Sequence, residues 1–159
     1  MSFERLDDHA RHVAAIRQAK RERMAAIGID ETYVARMVDD FYRRIRSDDR
    51  LGPVFAARIE DWDHHLQTMR RFWRSVLFSS GEFAGNPMLK HIAIRGLEQG
   101  DFDHWLRLFD ETLADLGSCA ARHHVHAQAS AIANSLMTGI SRSRFDYDTE
   151  KEKADASRA

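Results

Sequence analysis

Two histidines of this chain stand where an ionisable ring is costly. His91 sits in the short apolar segment GEFAGNPMLKHIAI, and His65 falls among Trp62, Leu66 and Met69 at helical spacing. Neither has a carboxylate at its own helical level, so burial leaves each ring in need of a partner. An ordinary core would supply a backbone carbonyl; the sharper alternative is a metal ion. Tyr42 and Trp105 place a phenol and an indole N–H in two further apolar stripes, and a buried donor of either kind requires an acceptor. The remaining seven of the nine histidines read differently. His9, His12, His64, His123, His124 and His126 lie among charges or on polar faces, and His104 falls opposite the stripe of its helix, so all seven are expected to be solvated. Neighbouring members of the His123 to His126 cluster point about 100° apart on a helix, which suits chelation poorly.

One arrangement would use His91, Tyr42 and Trp105 together. A porphyrin requires a flat apolar slot, one axial imidazole, and few polar atoms on the side where a ligand binds. His91 could give the axial bond, with Phe55, Met69, Phe72, Met88, Ile94 and Phe109 lining the slot. Those six would serve a plain helical core equally well. Tyr42 and Trp105 favour the porphyrin, because a diatomic ligand that gathers negative charge would accept their hydrogen bonds.

Holding these side chains falls to helices. Only two prolines and eight glycines punctuate the chain, and no strand-like alternation occurs, so the fold class is all-α. Asp8 can cap a first helix that ends near Ile27 before Gly28. Asp30 can cap a second, with Val34, Met37, Val38, Phe41, Tyr42 and Ile45 on one face. Gly52-Pro53 predicts a turn with brief helical pieces. Asp61 opens a strong helix carrying His65, Met69 and Phe72, and Asn86 with Pro87 opens a helix of about two turns carrying His91. Gly100 or Asp101 starts the next, with the stripe Phe102, Trp105, Leu106, Phe109, Leu113 and Leu116. Ser118 restarts the chain into a last helix from Ala120 to Arg144. Beyond Phe145 the sequence is charged and reads as a disordered tail.

Composition narrows the function. Twenty-four Lys and Arg balance twenty-five Asp and Glu, which gives no bulk field toward nucleic acid or a membrane surface. The single cysteine, Cys119, cannot form an internal disulfide. The first residues carry charges where a signal peptide would be apolar, and no eighteen apolar residues run together; the expected location is cytoplasmic.

Several motifs occur together in order: Phe41-Tyr42, Ile45-Arg46, Leu51-Gly52-Pro53 with Phe55, Trp62, His65-Leu66, Phe72-Trp73, Gly85-Asn86-Pro87-Met88 with His91, Trp105-Leu106 and Leu108-Phe109. Across about a hundred residues, Phe41 to roughly Ser141, the chain resembles a group III truncated hemoglobin. The resemblance implies a globin-like two-over-two helical sandwich, the cofactor heme b with iron held by His91, Tyr42 and Trp105 as distal donors, His65 as a distal gate, and Phe55 packed on the porphyrin. Lys90 and Arg95 could meet the heme propionates, or Arg95 could extend the proximal helix. Arg95 replaces the proline that the family tends to have after the proximal helix, and Phe83 replaces a frequent tyrosine. Gly28 and Gly85 lack the adjacent glycine found in related groups. The implied layout is an N-terminal extension helix (1–29), a truncated globin domain (30–145) and the tail (146–159). The implied function is reversible binding of O2, NO or CO. The alternative is enzymatic: nitric oxide dioxygenation or peroxide activation fed by an external reductase.

Overall fold

The structure, a computed structural model, describes residues 2–157. Among them are seven helices and no strand: α1 (Ser2–Ala26), α2 (Glu31–Ser47), α3 (Gly52–Ala56), α4 (Trp62–Phe78), α5 (Pro87–Ile92), α6 (Gln99–Asp115) and α7 (Cys119–Ala156). Helix α2 pairs with α4, α6 pairs with α7, and α2 packs across α6 to join the pairs. The short α5 rests on α7, and α3 on α2. This is the two-over-two arrangement.

The helix starts are set by side chains that satisfy otherwise orphaned N–H groups. Asp30 accepts from the Tyr33 N–H, Asp61 from His64, Asn86 from Leu89 and Ser118 from Ala121. Pro87 follows Asn86 at the first helical position, where its missing N–H leaves nothing unpaired. Helix α6 begins one or two residues before the expected Gly100 or Asp101. Glu98 is its cap, in a reciprocal box with Asp101, because the Asp101 carboxylate reaches back to the Glu98 N–H at 2.9 Å.

Two ends depart further from expectation. Helix α1 begins at Ser2, so Asp8 lies inside it and pairs with Arg11 instead of capping. Helix α7 continues through Ala156, well past Arg144 and the expected tail boundary, with nearly every residue after Phe145 exposed; residues 158–159 lie outside the described residues. Alternating Glu, Lys and Ala supply good local helix propensity without apolar burial, a composition that disorder and solvated helix share.

The core divides in two. The larger cluster centres on Val34, Met37, Phe41 and Ile45 of α2 with Trp73, Leu77, Phe109, Leu113 and Val125. The smaller gathers Leu97, Phe102, Ala133, Leu136 and Ile140. Leu106 and Ile132 touch both. Thr112, fully buried, donates to the Leu108 carbonyl and accepts from Arg44, which also pairs with Asp115, so α2 is fastened to the end of α6.

The first helix is joined to the rest. Met24 and Ile29 are buried, while Ile16 is half exposed. Lys20 donates to the Val76 carbonyl and to Ser79 Oγ, closing the end of α4. Gly28 turns at φ 91°, a region costly for other residues. Beside it Ser118 Oγ donates to the Ile27 carbonyl at 2.9 Å.

Candidate functional site

His91 is held by its own short helix. Its Nδ1 lies 2.6 Å from the Pro87 carbonyl oxygen. A carbonyl can only accept, so Nδ1 carries a proton, and the neutral form of the ring has its lone pair on Nε2, the tautomer that binds a metal through that atom. The seat of this helix is close-packed: a Cβ on Gly139 of α7 would fall 2.2 Å from Met88 Sδ. Met88, Ile92 and Ile94 pack against the smaller cluster, and the Phe102 ring lies 6.4 Å from the His91 ring.

Tyr42 belongs to the other cluster. It is 5% exposed, and burial drives its hydroxyl above the ordinary tyrosine range, so it remains a neutral donor. Around it stand three rings edge-on: His65 at 5.0 Å, Phe55 at 5.9 Å and Trp62 at 6.2 Å between centroids. Trp62 and His65 are 5.9 Å apart, which closes a triangle with Tyr42. Arg46 lies 4.6 Å over the Trp62 ring. His65 Nε2 is buried without a hydrogen-bond partner among the described residues. Burial first, then the charges of Lys90 and His64, push the ring's pKa down to about 4, so it is neutral near pH 7.

Trp105 reaches the same region from α6. It is half-buried and stacks on Phe109 at 5.3 Å and 4°, while Phe109 stacks on Trp73 at 5.2 Å. Phe41 meets Tyr42, Trp105 and Phe109 edge-on at 5.1, 5.3 and 5.0 Å and so couples the two donors through one ring. Phe109 is fully covered by these neighbours. It therefore packs inside the larger cluster, in direct contact with Trp105.

The other expected lining residues keep partial exposure. Phe55, Met69 and Phe72 border the larger cluster half-covered, as does Trp105, and Met88 and Ile94 border the smaller. Half-covered apolar side chains of this kind, drawn from several helices, are what the lining of a flat hydrophobic ligand requires. With the free Nε2 of His91 and the orphaned Nε2 of His65, this margin fits a heme. Lys90 and Arg95 are exposed, as propionate contacts would be in the protein alone.

Sequence reasoning gave no site role to Trp62, Phe102 or Val54. Trp62 and Phe102 were legible as apolar positions, but ring-to-ring proximity has no one-dimensional signal. His104 was expected in solvent and is instead part-buried, 2.7 Å from Asp48, with Arg107 on its other nitrogen. Burial alone would raise the Asp48 carboxyl. The N–H groups of Leu51 and Arg50 and the His104 ring outweigh it and hold Asp48 below the usual carboxylate range. His124 and His126 are also half-covered. Among the described residues no cluster of three or more His, Cys, Asp or Glu could hold a bare metal ion, and no helix is long and apolar enough to cross a membrane.

Comparison with known proteins gives concordant matches. The model of the Bacterial-like globin family matches residues 23–138. Group 3 truncated hemoglobin ctb of Campylobacter jejuni is 34% identical over 89 residues, spanning 54% of this chain and 70% of that protein. The crystal structure of group III truncated hemoglobin from Campylobacter jejuni superposes with a TM-score of 0.67 at 28% identity, covering 70% of this chain and 91% of the other. The group II truncated hemoglobin from Bacillus anthracis gives a TM-score of 0.61 at 21% identity over 72% and 88%, a likeness of fold alone.

Proposed function

The chain belongs to the bacterial-like globin family, in its truncated hemoglobin branch, and on that premise we propose that it carries heme b on His91 and reversibly binds a diatomic ligand beneath Tyr42 and Trp105. The observation that carries the reading is the tautomer of His91. With Nδ1 committed to the Pro87 carbonyl, only Nε2 is left to coordinate, and it lies on the helix that borders the smaller apolar cluster. Heme, when bound, supplies an iron that takes up O2, NO or CO.

The residues determine the rest. Tyr42 donates its O–H from a buried position, and Trp105 offers its indole N–H with the ring held flat against Phe109. A ligand that becomes partly anionic is held by both. His65, neutral and with its Nε2 unpartnered among the described residues, would act as the gate. Phe55 and Phe72, half-covered at the larger cluster, would pack on the porphyrin and keep water from it. Adding hemin to the purified protein tests the reading: an intense visible band should appear for the wild type and be lost or strongly shifted in His91→Ala, and a protein that stays colourless overturns it.

The unpartnered His65 ring beside Tyr42 also favours a second reading, oxidation of nitric oxide to nitrate or activation of peroxide. A neutral imidazole can accept a proton there. Such turnover draws electrons from an external reductase. Sustained nitrate formation only when a reductant is supplied would support it.

A further inference from the structure

One contact spans the margin between the two clusters. Helix α3 places Val54 against the smaller cluster and Phe55 against the larger. The turn after it is tied back, since the N–H groups of Arg58 and Ile59 both donate to the Phe55 carbonyl, at 3.0 and 2.9 Å. From that turn the Arg58 guanidinium reaches over to α5, where Nη1 donates to the Ala93 carbonyl at 3.5 Å. Ala93 lies two residues beyond His91. Arg58 thus bridges the element that carries the ring-packing phenylalanine and the end of the helix that carries the axial imidazole.

A porphyrin held by Phe55 and His91 would present an edge to these same elements, and the exposed cations Arg58, Lys90 and Arg95 suit the edge that bears its carboxylates. Arg58 is exposed and has no carboxylate within 4.0 Å among the described residues, and the same holds for Lys90 and Arg95. Its bond to Ala93 is long and uses one of five N–H groups, so the fork remains available for a carboxylate. Resting on the heme reading above, the geometry points to Arg58 as a propionate-binding residue that clamps the heme edge between α3 and α5. No spacing rule singled it out: Arg58 lies in the charged turn between α3 and α4.

Hemin loss to an excess of heme-free myoglobin tests the assignment. For Arg58→Gln, which keeps the side chain's polarity and exposed position, loss of natural hemin should be faster by roughly tenfold, the factor that about 1.4 kcal/mol represents. Arg58→Lys should fall between, because an ammonium lacks the planar fork. With hemin dimethyl ester, whose carboxylates are blocked, wild type and Arg58→Gln should release at the same rate. Equal rates with natural hemin overturn the assignment. An undiminished difference with the diester also overturns it, since Arg58 would then act on the protein and not on the carboxylate. A wild type that holds no hemin of either form removes the heme reading itself, and the assignment with it.

Discussion

The ring of His91 donates from Nδ1 to the carbonyl oxygen of Pro87, one helical turn earlier, at 2.6 Å. The bond fixes both the tautomer and the ring's rotation before any metal arrives. Replacing His91 by Gly should abolish axial coordination while leaving the apolar margin intact, so added free imidazole should restore the visible band. An unaltered spectrum in His91→Gly would show the ligand to be another residue.

Tyr42 and Trp105 should act on release more than on capture. A hydrogen bond to a charged acceptor contributes on the order of 1.5–3 kcal/mol, so Tyr42→Phe and Trp105→Phe should each speed O2 dissociation by roughly tenfold or more. Both rings abut Phe41, and the double variant should therefore deviate from the product of the single effects. Stopped-flow measurement of the four proteins checks this; rates that do not move would remove both donors.

His65 makes stability depend on pH in a defined direction. Its native pKa, about 4, lies below the ordinary 6.5. Between these values the unfolded chain binds a proton that the native protein does not, so stability is full above pH 6.5 and falls as the pH drops toward 4. In His65→Leu this part of the slope should vanish. Denaturant titrations between pH 4 and 7 measure it, and parallel curves for the two proteins would contradict the buried, neutral ring.

Gly139 is the floor on which Met88 rests. Gly139→Ala places a methyl group within 2.2 Å of the sulfur, and overpacking of this kind costs about 1–3 kcal/mol. The flexible Met88 can absorb part of the displacement, so the cost should shrink in a Met88→Ala background. Thermal melts of the cycle read the coupling.

The exposed end of α7 should contribute little to stability. Arg144 donates to the Leu97 carbonyl at 2.6 Å and marks the last anchored turn, whereas Phe145 and Tyr147 are 70% and 66% exposed. Deleting residues 146–159 should leave the melting midpoint unchanged and lower only the helical circular-dichroism signal.

The parts legible in the sequence were those governed by short-range chemistry. Asp30, Asp61, Asn86 and Ser118 mark helix starts because a cap acts within three residues, and Tyr42, His65 and His91 stand out as polar groups on apolar faces. A stripe position marked Phe109 as apolar but not that Trp73 and Trp105 cover it. His104 was misplaced because its partner, Asp48, lies in a turn 56 residues away. The far end of α7 was misread because charge-rich sequence is compatible with both coil and solvated helix.

Ser118 caps the first turn of α7 with one lone pair while its proton is given to Ile27 at the close of α1. A hydroxyl shared in this way makes the two ends of the polypeptide report on each other. Fraying of the first helix would deprive the last of a fixed starting point, so amide hydrogen exchange near Ala121 should quicken whenever α1 is loosened. The leading segment should therefore open together with the start of the closing one, however peripheral its outer face.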